Sequence, residues 1–230
     1  MTSVSKPGRR ISWLSNLRRD DSGVAMVEFA FVAPIVLMLG LGGMELANLA
    51  ATHMQISQTA MQVADNASRI GDRNALAAEK IYESDVNDLL TGADIYAGPR
   101  IDLFENGRVI VSSLEQNEDG GQWIHWQRCV GKLEVDSSYG KAGKGETGTG
   151  FSGMGVTGQE LTAPADGAVM FVEVVHTYEP LVSAQIASQF VDSLQIRSES
   201  AFTVRGNRDL TGVFAESGVS TADCGKYEAL

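Results

Sequence analysis

The most prominent feature of the chain is an apolar run near its N-terminus. Residues 24–44 contain a single charged side chain, that of Glu28. At a helical rise of about 1.5 Å per residue, this run spans about 31 Å, close to the thickness of about 30 Å of a bilayer's hydrocarbon core. The pattern therefore predicts one transmembrane helix. A helix in the core of a soluble protein is the alternative, but so long a run with so little polarity argues against it.

The helical pattern continues beyond this run as a one-sided stripe. Apolar residues recur every seven positions at Leu49, Ile56, Val63 and Ile70. Four positions after each of the first three come His53, Ala60 and Ala67, and the stripe ends at Gly71. Residues so spaced share one helix face. We expect this face to pack on the protein's own domain, with His53 as a core histidine. Packing against neighbouring helices is the alternative.

Gly43, Ala47 and Ala51 form a second series along the same helix. Small residues at every fourth position allow another helix to approach closely. The series predicts a helix-packing surface.

The pattern after residue 71 changes towards short elements. Asn74 is a predicted cap for a helix running to about Leu90, with Gly92 beyond its end. The pair Asn106-Gly107 between two runs with apolar residues predicts a hairpin with a type I′ turn, with Glu105 facing Arg108. A second turn at 118–121 leads into a strand over 123–135. Together these segments predict a three-stranded meander.

The C-terminal half is read in the same way. Residues 139–162 hold eight glycines without periodicity, which predicts a mobile surface loop. Strands are predicted over 168–178 and 195–205, a helix over 181–194, and an irregular tail over 206–230. The chain is therefore predicted to be α+β: a long N-terminal helix, crossing the membrane and continuing beyond it, packed on an antiparallel sheet of four or five strands. The pattern does not give the strand order.

Charge fixes the expected orientation of the membrane helix. The net charge is −11, but the first 22 residues carry five basic and two acidic side chains, so the remaining 208 residues sum to −14. Basic residues before the apolar run keep the N-terminus in the cytoplasm and send the rest across. A secretory signal peptide is the main competitor, but the run is too long and no small-x-small cleavage site follows it. The acidic body argues against nucleic acid as a partner.

The two cysteines, Cys129 and Cys224, both follow the apolar run. In an oxidising compartment they are predicted to form one disulfide that closes a long loop, although two unpaired thiols fit the spacing as well. The three histidines are scattered, and no GxSxG, HExxH or CxxC motif occurs. The sequence thus predicts no enzyme, no metal site and no cofactor.

Glu28 inside the apolar run requires an explanation, since a carboxylate within a transmembrane segment is costly and usually functional. It follows Gly23 by five residues. A cut between Gly23 and Val24 would create an α-amine four residues from this carboxylate, and the two charges could neutralise one another. A glutamate that reaches the interface from near the end of the helix is the alternative.

The N-terminal residues also resemble a known family. The chain has basic residues, then Gly23, then four residues followed by Glu28-Phe29, with Pro34 within the apolar helix and Glu45 at its end. This arrangement is similar to the signature of TadE-like pseudopilins of the tight-adherence (Tad/Flp) pilus system. The resemblance covers about residues 18–51. It implies a cytoplasmic prepilin-type leader over 1–23, a transmembrane helix over 24–51 and a pilin-like periplasmic α+β domain over 52–230.

The resemblance further implies what the protein does. A prepilin peptidase would cut between Gly23 and Val24, and Glu28 and Phe29 would serve processing and assembly. The expected partners are that peptidase, other pilins or pseudopilins, the assembly platform of the inner membrane and the lipid bilayer. The expected role is that of a minor pseudopilin or pilus assembly protein. An unprocessed periplasmic scaffold or binding protein held by a signal anchor is the alternative.

Overall fold

The computed structural model describes residues 22–71, 77–181 and 194–230. The chain divides into two compact units, one up to Ala47 and one from Asn48 to Leu230. In chain order the elements are α1 (Ser22–Ala67), β1 (Glu79–Tyr82), α2 (Glu83–Ala97), α3 (Leu103–Asn106), β2 (Gly107–Gln116), β3 (Gln122–Val130), β4 (Val169–Thr177), β5 (Gln195–Thr203) and β6 (Arg208–Phe214).

The second unit is built on a four-stranded antiparallel sheet in the order β3-β2-β4-β5. Side chains that alternate along β4 point to opposite faces of the sheet. Met170, Val172 and Val174 join a core that includes residues of α1 and α2, whereas Val169 and Phe171 join a smaller core with Met154 of the glycine-rich loop. The predicted α+β class is confirmed.

The part of α1 after residue 48 supplies one side of the larger core. Ile56, Ala60, Val63 and Ala67 are fully buried, so the predicted packing of this stripe on the protein's own domain is confirmed. The prediction for His53 is wrong, because its side chain is exposed. The adjacent Thr52 faces the domain instead, and its hydroxyl accepts a hydrogen bond from the Arg100 guanidinium at 3.2 Å.

The predicted hairpin at Asn106-Gly107 is wrong. Leu103–Asn106 form a short helix, and Gly107 is extended (φ −149°, ψ −168°) as the first residue of β2, where it pairs with His176. Glycine is needed here for close approach, since a Cβ would lie 2.6 Å from the Val175 carbonyl oxygen. Glu105 pairs with Lys132, not with Arg108. The three-stranded meander is also wrong, because β2 lies between β3 and β4.

Two further element boundaries differ from the predictions. The predicted cap Asn74 lies outside the described residues, and α2 covers Glu83–Ala97, passing through Gly92. It ends where Gly98 takes φ 74° and donates its N–H to the Asp94 carbonyl. The tail is not wholly irregular, because β6 pairs in parallel with β1. The predicted strand over 123–135 ends at Val130, where Gly131 takes φ 114°.

The other predictions fare as follows. The turn at 118–121 and the strands over 168–178 and 195–205 are confirmed. The helix predicted over 181–194 falls mostly on residues 182–193, outside the described part of the chain. The glycine-rich segment 139–162 has only a single bridge, Met154 to Leu161. It lies on the sheet rather than standing apart as a surface loop, since Met154 is fully buried and Ile124 of β3 exchanges backbone hydrogen bonds with Gly143 and Lys144.

Candidate functional site

The first part of α1 presents large apolar side chains that the rest of the described chain does not cover. Phe29, Phe31 and Leu39 are each more than 70% exposed in their unit. Within the part of the chain that the structure describes, α1 alone is long and apolar enough to cross a membrane, and the most apolar stretch of it is not buried at all. A side-chain surface of this kind suits an apolar solvent. The helix fits a single-pass membrane anchor.

The residues of the predicted processing site lie in the first two turns of this helix. Gly23 follows Ser22 at its start, and Val24, Glu28 and Phe29 come next, all with exposed side chains. Val24 and Glu28 are four residues apart, so their Cβ atoms are neighbours on the helix surface at about 5–6 Å. An α-amine on Val24 would therefore start one turn from the Glu28 carboxylate.

Gly23 has free space around it among the described residues. A Cβ built on it meets no heavy atom of that part of the chain within 4 Å, and the same is true of Gly40, Gly42 and Gly43. Helix propensity would favour alanine over glycine by about 1 kcal/mol at such positions. Packing within the described residues therefore does not explain the choice of glycine at these four positions.

The predicted helix-packing series is accessible over its whole length. Gly43 and Ala47 are exposed in the first unit, and Ala51 is exposed in the second. Among the described residues, no atom covers the position that a Cβ on Gly43 would take. These small side chains are available to a neighbouring helix.

A comparison with protein families supports the interpretation of this segment. The family model of TadE-like proteins matches residues 23–65. This segment is TadE-like. The resemblance seen in the sequence is confirmed for this segment. No curated protein and no solved structure matches the chain.

The TadE-like match is confined to α1, so the chemistry of the rest of the domain must be read from the structure. Glu173 of β4 is fully buried and pairs with Arg197 of β5, and it also accepts hydrogen bonds from the Ser137 hydroxyl and the Ser138 N–H. A buried carboxylate with a cation and two further donors is satisfied in place. This arrangement ties segment 136–139 to the sheet.

The C-terminal tail of the domain is held by a second group of contacts. A disulfide joins Cys129 of β3 to Cys224. The buried Arg108 guanidinium donates to the carbonyls of Gly131 and Cys224 at 3.0 and 2.8 Å, and the Tyr227 ring lies 4.2 Å from it. Burial lowers the pKa of Arg108, although an arginine stays protonated at neutral pH. The tail thus covers a buried cation.

Histidine chemistry in the domain is structural in character. His176 of β4 is buried, its Nδ1 has no hydrogen-bond partner among the described residues, and burial lowers its pKa. His125 Nδ1 contacts Glu115 Oε2 at 2.8 Å, and Cys129 is committed to the disulfide, so His125 and Cys129 do not share a metal. In the described residues no group of three or more histidine, cysteine, aspartate or glutamate side chains is placed to hold a metal ion.

One surface was missed by the sequence reasoning. On the face of α1 turned away from the sheet, Met54, Gln58 and Gln62 line a groove of about 250 Å³ together with Tyr96 of α2. The available signal was the run 46–64, which contains no aspartate, glutamate, lysine or arginine. The apolar stripe identifies the buried face of the helix by its spacing. The lack of charge extends over the whole run, so it does not by itself identify the exposed face.

Proposed function

We propose that this chain is a minor pseudopilin or assembly protein of a tight-adherence pilus, cut by a prepilin peptidase between Gly23 and Val24. The TadE-like match that begins at Gly23 and includes Glu28 and Phe29 is the observation that carries the proposal. The mature chain then begins with the membrane helix and retains the whole described domain.

The proposed location is the bacterial inner membrane, with the N-terminus in the cytoplasm and the domain in the periplasm. The charge distribution supports this orientation, because the basic residues precede the apolar run and the acidic body follows it. The disulfide between Cys129 and Cys224 is in keeping with an oxidising compartment.

The proposed role of Glu28 follows from its place on the helix. After cleavage, the new α-amine of Val24 would compensate the carboxylate within one chain or between adjacent subunits. Gly43, Ala47 and Ala51 would let those subunits approach, and the assembly platform of the inner membrane would receive them. The function is mechanical, with no catalytic residue.

The test is to express the full chain with its cognate prepilin peptidase and to determine the N-terminal mass of the product. We expect a mature start at Val24, lost when the peptidase is omitted and lost in Gly23→Ala. The alanine variant is a clean probe because its Cβ has free space, so a loss of cleavage reports on the peptidase and not on folding.

Glu28→Gln gives the second arm of this experiment, with Glu118→Gln, an exposed glutamate in the turn between β2 and β3, as the control outside the TadE-like segment. We expect assembly into pilus complexes to fall in Glu28→Gln and to persist in Glu118→Gln. An intact N-terminus in the presence of active peptidase would overturn the proposal and favour an unprocessed, signal-anchored scaffold or binding protein.

A further inference from the structure

The exposed face of α1 in the second unit has an unusual composition. Residues 46–64 contain no acidic and no basic side chain other than His53, although the chain after residue 22 has a net charge of −14. A solvated helix face normally carries charged residues. Charge resumes only at Asp65, which pairs with Arg69 at 2.7 Å.

Large apolar side chains on this face are exposed among the described residues. Met54 and Met61 are 59% and 54% exposed, and Tyr96 at the end of α2, which lines the same groove as Met54, is 48% exposed. Depletion of charge together with methionine and aromatic residues is the composition of the centre of a protein–protein interface. We call Met54, Gln58, Met61 and Tyr96 the neutral face.

Lipid is not the occupant that this face fits. Met54 and Met61 follow Met44, the last residue of the apolar run, by 10 and 17 residues. The run 24–44 is by itself about as long as the hydrocarbon core is thick, so residues this far beyond it in the sequence are not needed to cross the core. Exposed glutamines at 58 and 62 also suit a partially polar interface better than acyl chains.

We propose that the neutral face binds the same face of a second copy of this chain. The acidic bodies of two copies repel one another, and this face is where two copies can meet without opposed like charges. A glutamine amide both donates and accepts hydrogen bonds, so Gln58 of one copy satisfies Gln58 of the other. The proposal rests on membrane anchoring as stated under the proposed function, but it does not depend on cleavage.

Anchoring in one membrane sets the geometry of this pair. Two copies inserted with the same orientation bring their α1 helices together in parallel, and a two-fold axis along the helices places each residue opposite its own equivalent. Met54, Gln58 and Met61 follow a four-three spacing, as the seam positions of a parallel helix pair do. A polar residue between two apolar ones in such a seam fixes the register.

The test is cysteine cross-linking of the full chain in membranes. Both native cysteines are in the disulfide, so Gln58→Cys or Met61→Cys introduces one thiol, and His53→Cys is the matched control on an exposed flank of the same helix. On mild oxidation we expect a covalent dimer of twice the chain mass, at least fivefold more abundant at 58 and 61 than at 53.

A charge variant supplies the second measurement. Gln58→Glu places two carboxylates opposite each other and should lower the dimer population at least tenfold in a fluorescence-transfer assay in lipid nanodiscs, whereas His53→Glu should leave it unchanged. Equal cross-linking at 53, 58 and 61, an adduct with a different protein instead of a second copy, or a dimer unaffected by Gln58→Glu would each overturn the proposal. N-terminal processing at Val24 is measured separately and is unaffected by any of these outcomes.

Discussion

The two parts of α1, residues 22–47 and residues 48–67, differ in how apolar side chains are distributed around the helix. Along the first part apolar side chains surround the helix, and they are exposed in their unit. Along the second part the fully buried positions lie on one side, and the opposite side carries glutamines and methionines. Hydrophobicity all round suits an apolar solvent, whereas one-sided hydrophobicity suits a partner sheet. The distribution of apolar residues, not only their number, separates an anchor from a core helix.

The largest expected effect comes from the buried side of the second part. Ile56→Ala should lower the free energy of unfolding of the domain by about 2–5 kcal/mol, because it removes buried methyl groups and leaves a cavity. Met54→Ala, two positions away and exposed, should change it by less than about 0.5 kcal/mol. Denaturant unfolding of the full chain in detergent measures both. Equal losses would contradict the assignment of the two faces.

The disulfide offers a second way to separate the two parts of the helix. Replacing Cys129 and Cys224 by serine should destabilise the domain by about 2–5 kcal/mol, since the bond closes a loop with a sequence separation of 95 residues. Both cysteines belong to the second unit, so the helicity of residues 22–47 should remain. Thermal scans, with circular dichroism of the membrane segment as the control, test this. An unchanged melting temperature would show that the tail contacts alone hold the C-terminus.

The pH dependence of stability should reside in the domain. His176 has a lowered pKa in the folded state, chiefly through burial; Glu179 raises this pKa and Arg100 lowers it. In the unfolded state the pKa of this histidine is about 6.5, so the unfolded chain binds the proton before the folded chain does as the pH falls. The contribution of neutral, buried His176 to the free energy of unfolding is therefore fully present above about pH 6.5. It falls below that pH by up to about 1.4 kcal/mol per pH unit, until the pKa of the folded state is reached.

Unfolding midpoints between pH 7 and pH 5 measure this slope. His176→Gln should flatten the histidine component of the profile. A profile that keeps its full slope in His176→Gln would contradict the burial argument.

The smallest expected effect on stability belongs to the first part of the helix. Gly23→Ala should change the unfolding of the domain by nothing measurable, because its Cβ meets no neighbour. The same variant should abolish cleavage if the proposed processing is right. Calorimetry together with the N-terminal mass separates the two readouts. Destabilisation by this alanine would show that Gly23 has a structural role after all.

Much of the fold could be predicted from local patterns. The strands at 169–177 and 195–203 and the turn at 118–121 were visible because alternation, apolar runs and glycine pairs act over a few residues. The pair Asn106-Gly107 suits a type I′ turn, but it also suits a short helix that ends at Asn106. Gly107 then begins the next strand at a place with no room for a Cβ. Only the neighbouring strand β4 decides between these uses.

The surface proposed for association shows the same limit. The charge-free run 46–64 can be read from the sequence, but which of its side chains are covered depends on how the sheet packs against α1. Tyr96 joins the neutral face through α2, more than thirty residues further along the chain. Tyr96 and Met54 line one groove although they are far apart in the chain, and no local period encodes that arrangement.

The sequence by itself determined the anchor, the asymmetry of charge and the TadE-like signature, because hydropathy over 21 residues, basic flanks and short motifs are local properties. The tertiary structure alone decided the strand order, the buried pairing of Glu173 with Arg197, the cover that the tail provides over Arg108 and the neutral face left open on α1. These features depend on side chains brought together from distant parts of the chain. Their energies arise from packing and from the exclusion of water, which no single segment can specify.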